Sequence, residues 1–83
     1  MSGPRPTNPR EVIFRFNEEC EFYHIRDIAR RVFRGTQPTC EVEDEGRTVI
    51  LYMTRAPHET SMIEDMAEAL LDESGFGGSY VID

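Results

Sequence analysis

Hydrophobic positions along the chain fall into six stretches, each with its own period. From Glu11 to Phe16 they alternate, which puts Val12, Phe14 and Phe16 on one side of a strand and Ile13 and Arg15 on the other. From Phe22 the period lengthens. Phe22, Ile25, Ile28, Ala29, Val32 and Phe33 share an arc of about 140° on a helix. Asn17 is the expected N-cap, with Glu18, Glu19 and Glu21 in the first turn, and Gly35 the expected stop after Arg30, Arg31 and Arg34.

Alternation returns from Thr39 to Asp44, with Cys40 and Val42 opposed to Glu41 and Glu43. Asp44-Glu45-Gly46 reads as a hairpin turn with the glycine left-handed. Arg47 to Thr54 is the most strand-like run, with Val49, Leu51 and Met53 inward and Ile50 and Tyr52 outward. A second helix is expected to begin within 57–61, where Pro57 suits a first turn and Ser61 with Glu64 has capping-box spacing. Its apolar stripe runs from Met62 to Leu71, with Glu64, Asp65, Glu68 and Asp72 filling the remainder. Gly75 ends it, Phe76 is placed to fold back on it, and Ser79 to Ile82 forms a final strand.

The order β-α-β-β-α-β predicts an α+β fold of the ferredoxin-like, split βαβ kind: a four-stranded antiparallel sheet with two helices on one face. Met1 to Pro9 contains three prolines and a glycine and reads as a disordered arm. The expected organisation is an arm over residues 1–10 and one domain over 11–83.

Composition narrows the function classes. At 83 residues there is room for one core, and a chain of that size buries roughly 60–65% of its unfolded surface. Hydrophobic residues at 39% and charged residues at 30% fit a globular domain. No apolar run approaches the ~18 residues of a membrane span, and the N-terminus has no apolar signal region. A cytoplasmic protein is expected, in host cytoplasm if the source is viral. Cys20 and Cys40 are expected as free thiols, with a single bridge between them left open.

Charge changes the picture more. Sixteen acids against nine bases give −7, which disfavours nonspecific nucleic-acid binding. All the bases are arginine, so there is no Schiff-base or P-loop lysine. Residues 1–35 hold seven arginines and five acids, a net of +2. Residues 36–83 hold two and eleven, a net of −9.

Candidate chemistry is sparse. Cys20 and His24 share a helical turn, but a metal needs three or four converging ligands, and a thiol nucleophile needs an activating pocket. His58, beside Glu59, Thr60 and Ser61, reads as part of a helix start rather than as a base. Gly75 to Gly78 follows a helix and precedes a strand, the reverse of a phosphate-cradling loop. The acidic hairpin of Glu41, Glu43, Asp44 and Glu45 lacks calcium-loop spacing and reads as a solvated edge. Arg26, Arg30 and Arg34 form a stripe expected to pair with acids of the neighbouring helix. No catalytic residue, metal site or cofactor is expected.

Two surfaces remain. The uncovered sheet face is expected to carry Ile13, Arg15, Ile50, Tyr52 and Val81, rimmed by Glu41 and Glu43. Glu64, Glu68 and Asp72 make an acidic stripe on the second helix. Together they suggest a small acidic, non-enzymatic protein-binding module, a regulator or a phage-type inhibitor of nucleic-acid machinery. The alternatives are an RNA or single-strand binder, for which the outward strand positions offer one aromatic, and a ligand-sensing homodimer joined through the open sheet.

Overall fold

The computed structural model describes residues 10–83; of the arm expected over residues 1–10, residues 1–9 lie outside them. The fold is α+β: a four-stranded antiparallel open sheet and two helices. In chain order the elements are β1 (Arg10–Phe16), α1 (Phe22–Val32), β2 (Pro38–Glu43), a short 3-10 turn (Asp44–Gly46), β3 (Thr48–Met53), α2 (Thr60–Ser74) and β4 (Gly78–Ile82). The strands lie in the order β2-β3-β1-β4. β1 begins at Arg10, opposite Met53, one residue inside the stretch assigned to the arm. No helix among the described residues is long and apolar enough to cross a membrane.

Alternation builds the core directly. Val12, Phe14 and Phe16 of β1 and Val49, Leu51 and Met53 of β3 are all at most 5% exposed. Ile25, Ile28 and Ala29 of α1 and Ile63, Ala67 and Leu70 of α2 close over them in the same cluster. Each such large apolar side chain contributes about 1.5–3 kcal/mol by leaving water. Phe33 meets Phe14 edge-on, with ring centroids 6.4 Å apart. α1 packs beside β2 and α2 beside β4.

The helix starts differ from the local capping signals. Asn17 is not the cap of α1; the helix begins at Phe22 with Glu21 in the capping position and no acid in its first turn. Residues 17–21 are instead held by tertiary bonds. The Cys20 N–H and its thiol both donate to the Gly46 carbonyl at 2.8 Å, and the Asn17 N–H donates to the Gly77 carbonyl at 3.3 Å. The Ser61–Glu64 capping box does not form either, because α2 starts at Thr60 with no side-chain cap. A bonded loop, once docked, fixes where the chain can begin to coil.

The helix stops follow their glycines. Phe33 caps α1, and both the amide and the hydroxyl of Thr36 donate to its carbonyl, at 3.1 and 2.6 Å, as Gly35 turns left-handed. After α2, Gly75 is left-handed and Ser74 donates to Leu71. Phe76 packs edge-on against Phe16 of β1 and His24 of α1, joining the two halves of the core. Gly78 opens β4 with φ 138°. A Cβ there would stand 2.1 Å from the Arg15 carbonyl oxygen, so the approach of β4 to β1 requires glycine. The β2–β3 reversal is tighter than a simple glycine turn. Asp44, Glu45 and Gly46 are all left-handed, with φ 52°, 55° and 90°.

Candidate functional site

The alternation that buries one sheet face leaves the other without a helix. Pairing register sets what stands there. Ile13 of β1 lies opposite Ile50 of β3 and Val81 of β4, and Ile50 lies opposite Glu41 of β2. One row across the four strands therefore reads Glu41, Ile50, Ile13, Val81. On one side of it Tyr52 pairs with Glu11 and Thr39; on the other Thr48 pairs with Arg15 and Glu43.

Three aliphatic side chains thus stand shoulder to shoulder at the centre of the face. Val81 is 64% exposed and Tyr52 39%, while Ile13 and Ile50 are half-buried by their neighbours. Three carboxylates, Glu11, Glu41 and Glu43, and the guanidinium of Arg15 stand around this patch. A shallow depression of about 220 Å³ between Glu11, Thr39, Glu41, Ile50 and Tyr52 marks its β2 side. Its geometry suits an apolar anchor on a partner, ringed by polar contacts.

Of the nine residues singled out in the sequence, six come together here: Ile13, Arg15, Glu41, Glu43, Ile50 and Tyr52. Glu64, Glu68 and Asp72 do not. They are exposed on α2, in the layer on the other side of the sheet. There Tyr80 donates its hydroxyl to Glu68 at 3.2 Å. Partial burial, and then the bond to Glu68 with the charges of Glu64 and Asp65, raise the Tyr80 phenol above its ordinary value. The two surfaces are separate, and a single partner patch does not contain both.

Glu11 and Thr39 were not among the residues singled out, although alternation puts them on the same face as Ile13 and Glu41; only the strand order shows that both flank Tyr52. Sequence reasoning also misplaced the arginine stripe. The ion pair between the helices is Arg31 with Glu73, an exposed contact of under about 1 kcal/mol. Arg26 and Arg30 turn instead toward edge strand β2, lining a groove of about 300 Å³ with Phe22, Pro38, Thr39 and Cys40.

The remaining candidate chemistry is occupied structurally. The Cys20 thiol is bonded to the Gly46 carbonyl and His24 meets Phe76 edge-on, so the two do not form a pair. Both cysteines are free. Burial pushes the Cys20 thiol up, partly offset by a backbone hydrogen bond. Burial likewise pushes Cys40 up to about 11, opposed by the charge of Arg30. At neutral pH both are held as thiols, poor nucleophiles and poor metal ligands. Among the described residues no three histidine, cysteine or acidic side chains converge as metal ligands. Comparison of the chain with protein-family models, curated proteins and solved structures finds no match.

Proposed function

We propose that this chain is a small acidic, non-enzymatic module that binds a partner protein through the open face of its sheet. The observation that carries the reading is the row Ile50–Ile13–Val81, apolar and uncovered, with Tyr52 beside it and Glu11, Glu41, Glu43 and Arg15 around it. Desolvating a central aliphatic patch supplies affinity, and the charged rim selects the partner. Three carboxylates against one guanidinium on this face favour a partner with a basic rim and disfavour the phosphates of RNA. A regulator or inhibitor of nucleic-acid machinery, acting in the cytoplasm, is the narrower form of the same reading. It is supported by the carboxylates that this face would set where a phosphate backbone otherwise binds.

The ferredoxin-like assignment belongs to this proposal. It is supported by the strand order, in which β3 lies between β1 and β2 and β1 between β3 and β4.

The test is affinity capture from source-cell lysate with the parent chain and an Ile13→Glu/Ile50→Glu variant whose fold is verified by circular dichroism. The reading expects a partner held by the parent and lost from the variant. A partner held equally by both contradicts it.

A further inference from the structure

Edge strand β2 and the α1 groove beside it make a second surface, which meets the open face at Glu41 and Glu43. β2 has a strand neighbour on one side only, so a row of its backbone N–H and C=O groups is unpaired by any described strand. Alternation gives this edge two chemically opposite flanks. On the helix side lie Phe22, Arg26 and Arg30, lining the groove of about 300 Å³ with Pro38 and Cys40. On the open side project Glu41 and Glu43.

The cationic flank is prepared for an anion. The Arg26 guanidinium stacks over the Tyr23 ring at 4.9 Å, which fixes its plane. Its Nε is buried and has no hydrogen-bond partner among the described residues. Among the described residues the carboxylate paired with it is Asp27, at a long 3.4 Å. Arg30 lines the same groove as Cys40. A donor that is buried and unpaired is costly unless an acceptor arrives.

We propose that an extended segment of a partner protein adds to β2 as a fifth strand, with acidic side chains on the face toward Arg26 and Arg30 and basic ones on the face toward Glu41 and Glu43. Backbone bonding to the edge gives affinity, and the alternating charges set which segment fits. A carboxylate in the groove meets the guanidinium groups of Arg26 and Arg30, with its stem against Phe22.

A second copy of this chain does not supply that pattern. β2 against β2 sets Glu41 and Glu43 against their own kind. β4, the other edge, offers Tyr80 and Ile82 on its helix side and Ser79 and Val81 on the other, none of them charged. Residues 1–9 hold three prolines and no acid.

The test uses the full chain and a labelled peptide, Val-Lys-Glu-Thr-Glu-Lys-Val, whose acids and bases fall on opposite faces of a strand. A control peptide carries Gln for both Glu. Expected are binding of the acidic peptide with amide shifts confined to β2 and α1, and affinity about tenfold or more weaker for the control or for Arg26→Gln/Arg30→Gln. A Val81→Glu variant, on the open face but three strands away from β2, should bind the peptide as the parent does, which separates this surface from the open face. Equal binding of the two peptides, shifts on the open face instead of β2, no binding of the acidic peptide, or a concentration-dependent dimer joined through β2 overturns the proposal.

Discussion

The two faces of the sheet are made by the same residues of backbone, one position out of phase, and they obey different rules. On the covered face Val12, Phe14, Val49, Leu51 and Met53 are wholly inaccessible to water. On the open face Ile13, Ile50, Tyr52 and Val81 are equally apolar but keep partial or large exposure, and charged residues are interleaved with them. The covered face is closed by two helices and its size is fixed by packing. The open face has no partner among the described residues, so its apolar residues contribute less to folding than those of the covered face. Apolar side chains aligned in register where they stabilise less are the reason to read the face as an interface.

Mutation should separate the faces most clearly at the centre of β1. Phe14→Ala, which leaves a cavity under Phe33 and Tyr80, is expected to cost about 3–5 kcal/mol in urea unfolding. A loss under about 1 kcal/mol would mean that the core is not packed as described.

Next in size is Gly78→Ala, at the point where β4 joins both faces to the sheet. The added methyl meets the Arg15 carbonyl, and a cost of about 2–3 kcal/mol is expected. Gly35→Ala, with open space around it, should cost only about 1 kcal/mol by left-handed strain. Similar losses at the two glycines would contradict the close approach of β4.

Cys40 tests the margin of the covered face through pH. An ordinary thiol titrates near 9, and burial lifts this one to about 11 against the opposing charge of Arg30. The fold therefore favours the protonated form. The contribution is complete below about pH 9 and is lost as pH rises toward 11. After allowance for partial exposure it is about 1–2 kcal/mol. Urea midpoints of the parent should fall more steeply than those of Cys40→Ser between pH 8.5 and 11, ranges about those two values. Parallel curves would place Cys40 in solvent.

The smallest stability effect is expected on the open face, where Ile13→Ser should cost about 1 kcal/mol or less. A loss as large as that of Phe14→Ala would show that the face is structural and remove the case for an interface.

Much of this was legible in the chain. The alternation around Phe14 and Leu51 names the covered face, and Gly35 and Gly75 mark the helix stops through the left-handed positions they occupy. The helix starts were not legible. Asn17 is a good local cap, but the segment it begins is drawn across to Gly46 and Gly77 by bonds between residues far apart in sequence. Nor does any period show that Ile13 stands between Ile50 and Val81, since that depends on strand order. Glu64, Glu68 and Asp72 were legible as a separate stripe, because two helices on one face put the sheet between them and Glu41 and Glu43. The arginine stripe was legible as a stripe, but its neighbour was not. Only the position of α1 beside β2 turns Arg26 and Arg30 toward the edge strand instead of toward α2.

Methyl NMR of the captured partner complex tests the open face most directly, because the isoleucines report both faces in one spectrum. The methyls of Ile13, Ile50 and Val81 are expected to shift or broaden on complex formation while those of Ile25, Ile28 and Ile63 in the core stay in place. Unmoved signals from Ile13 and Ile50 in a formed complex would contradict it.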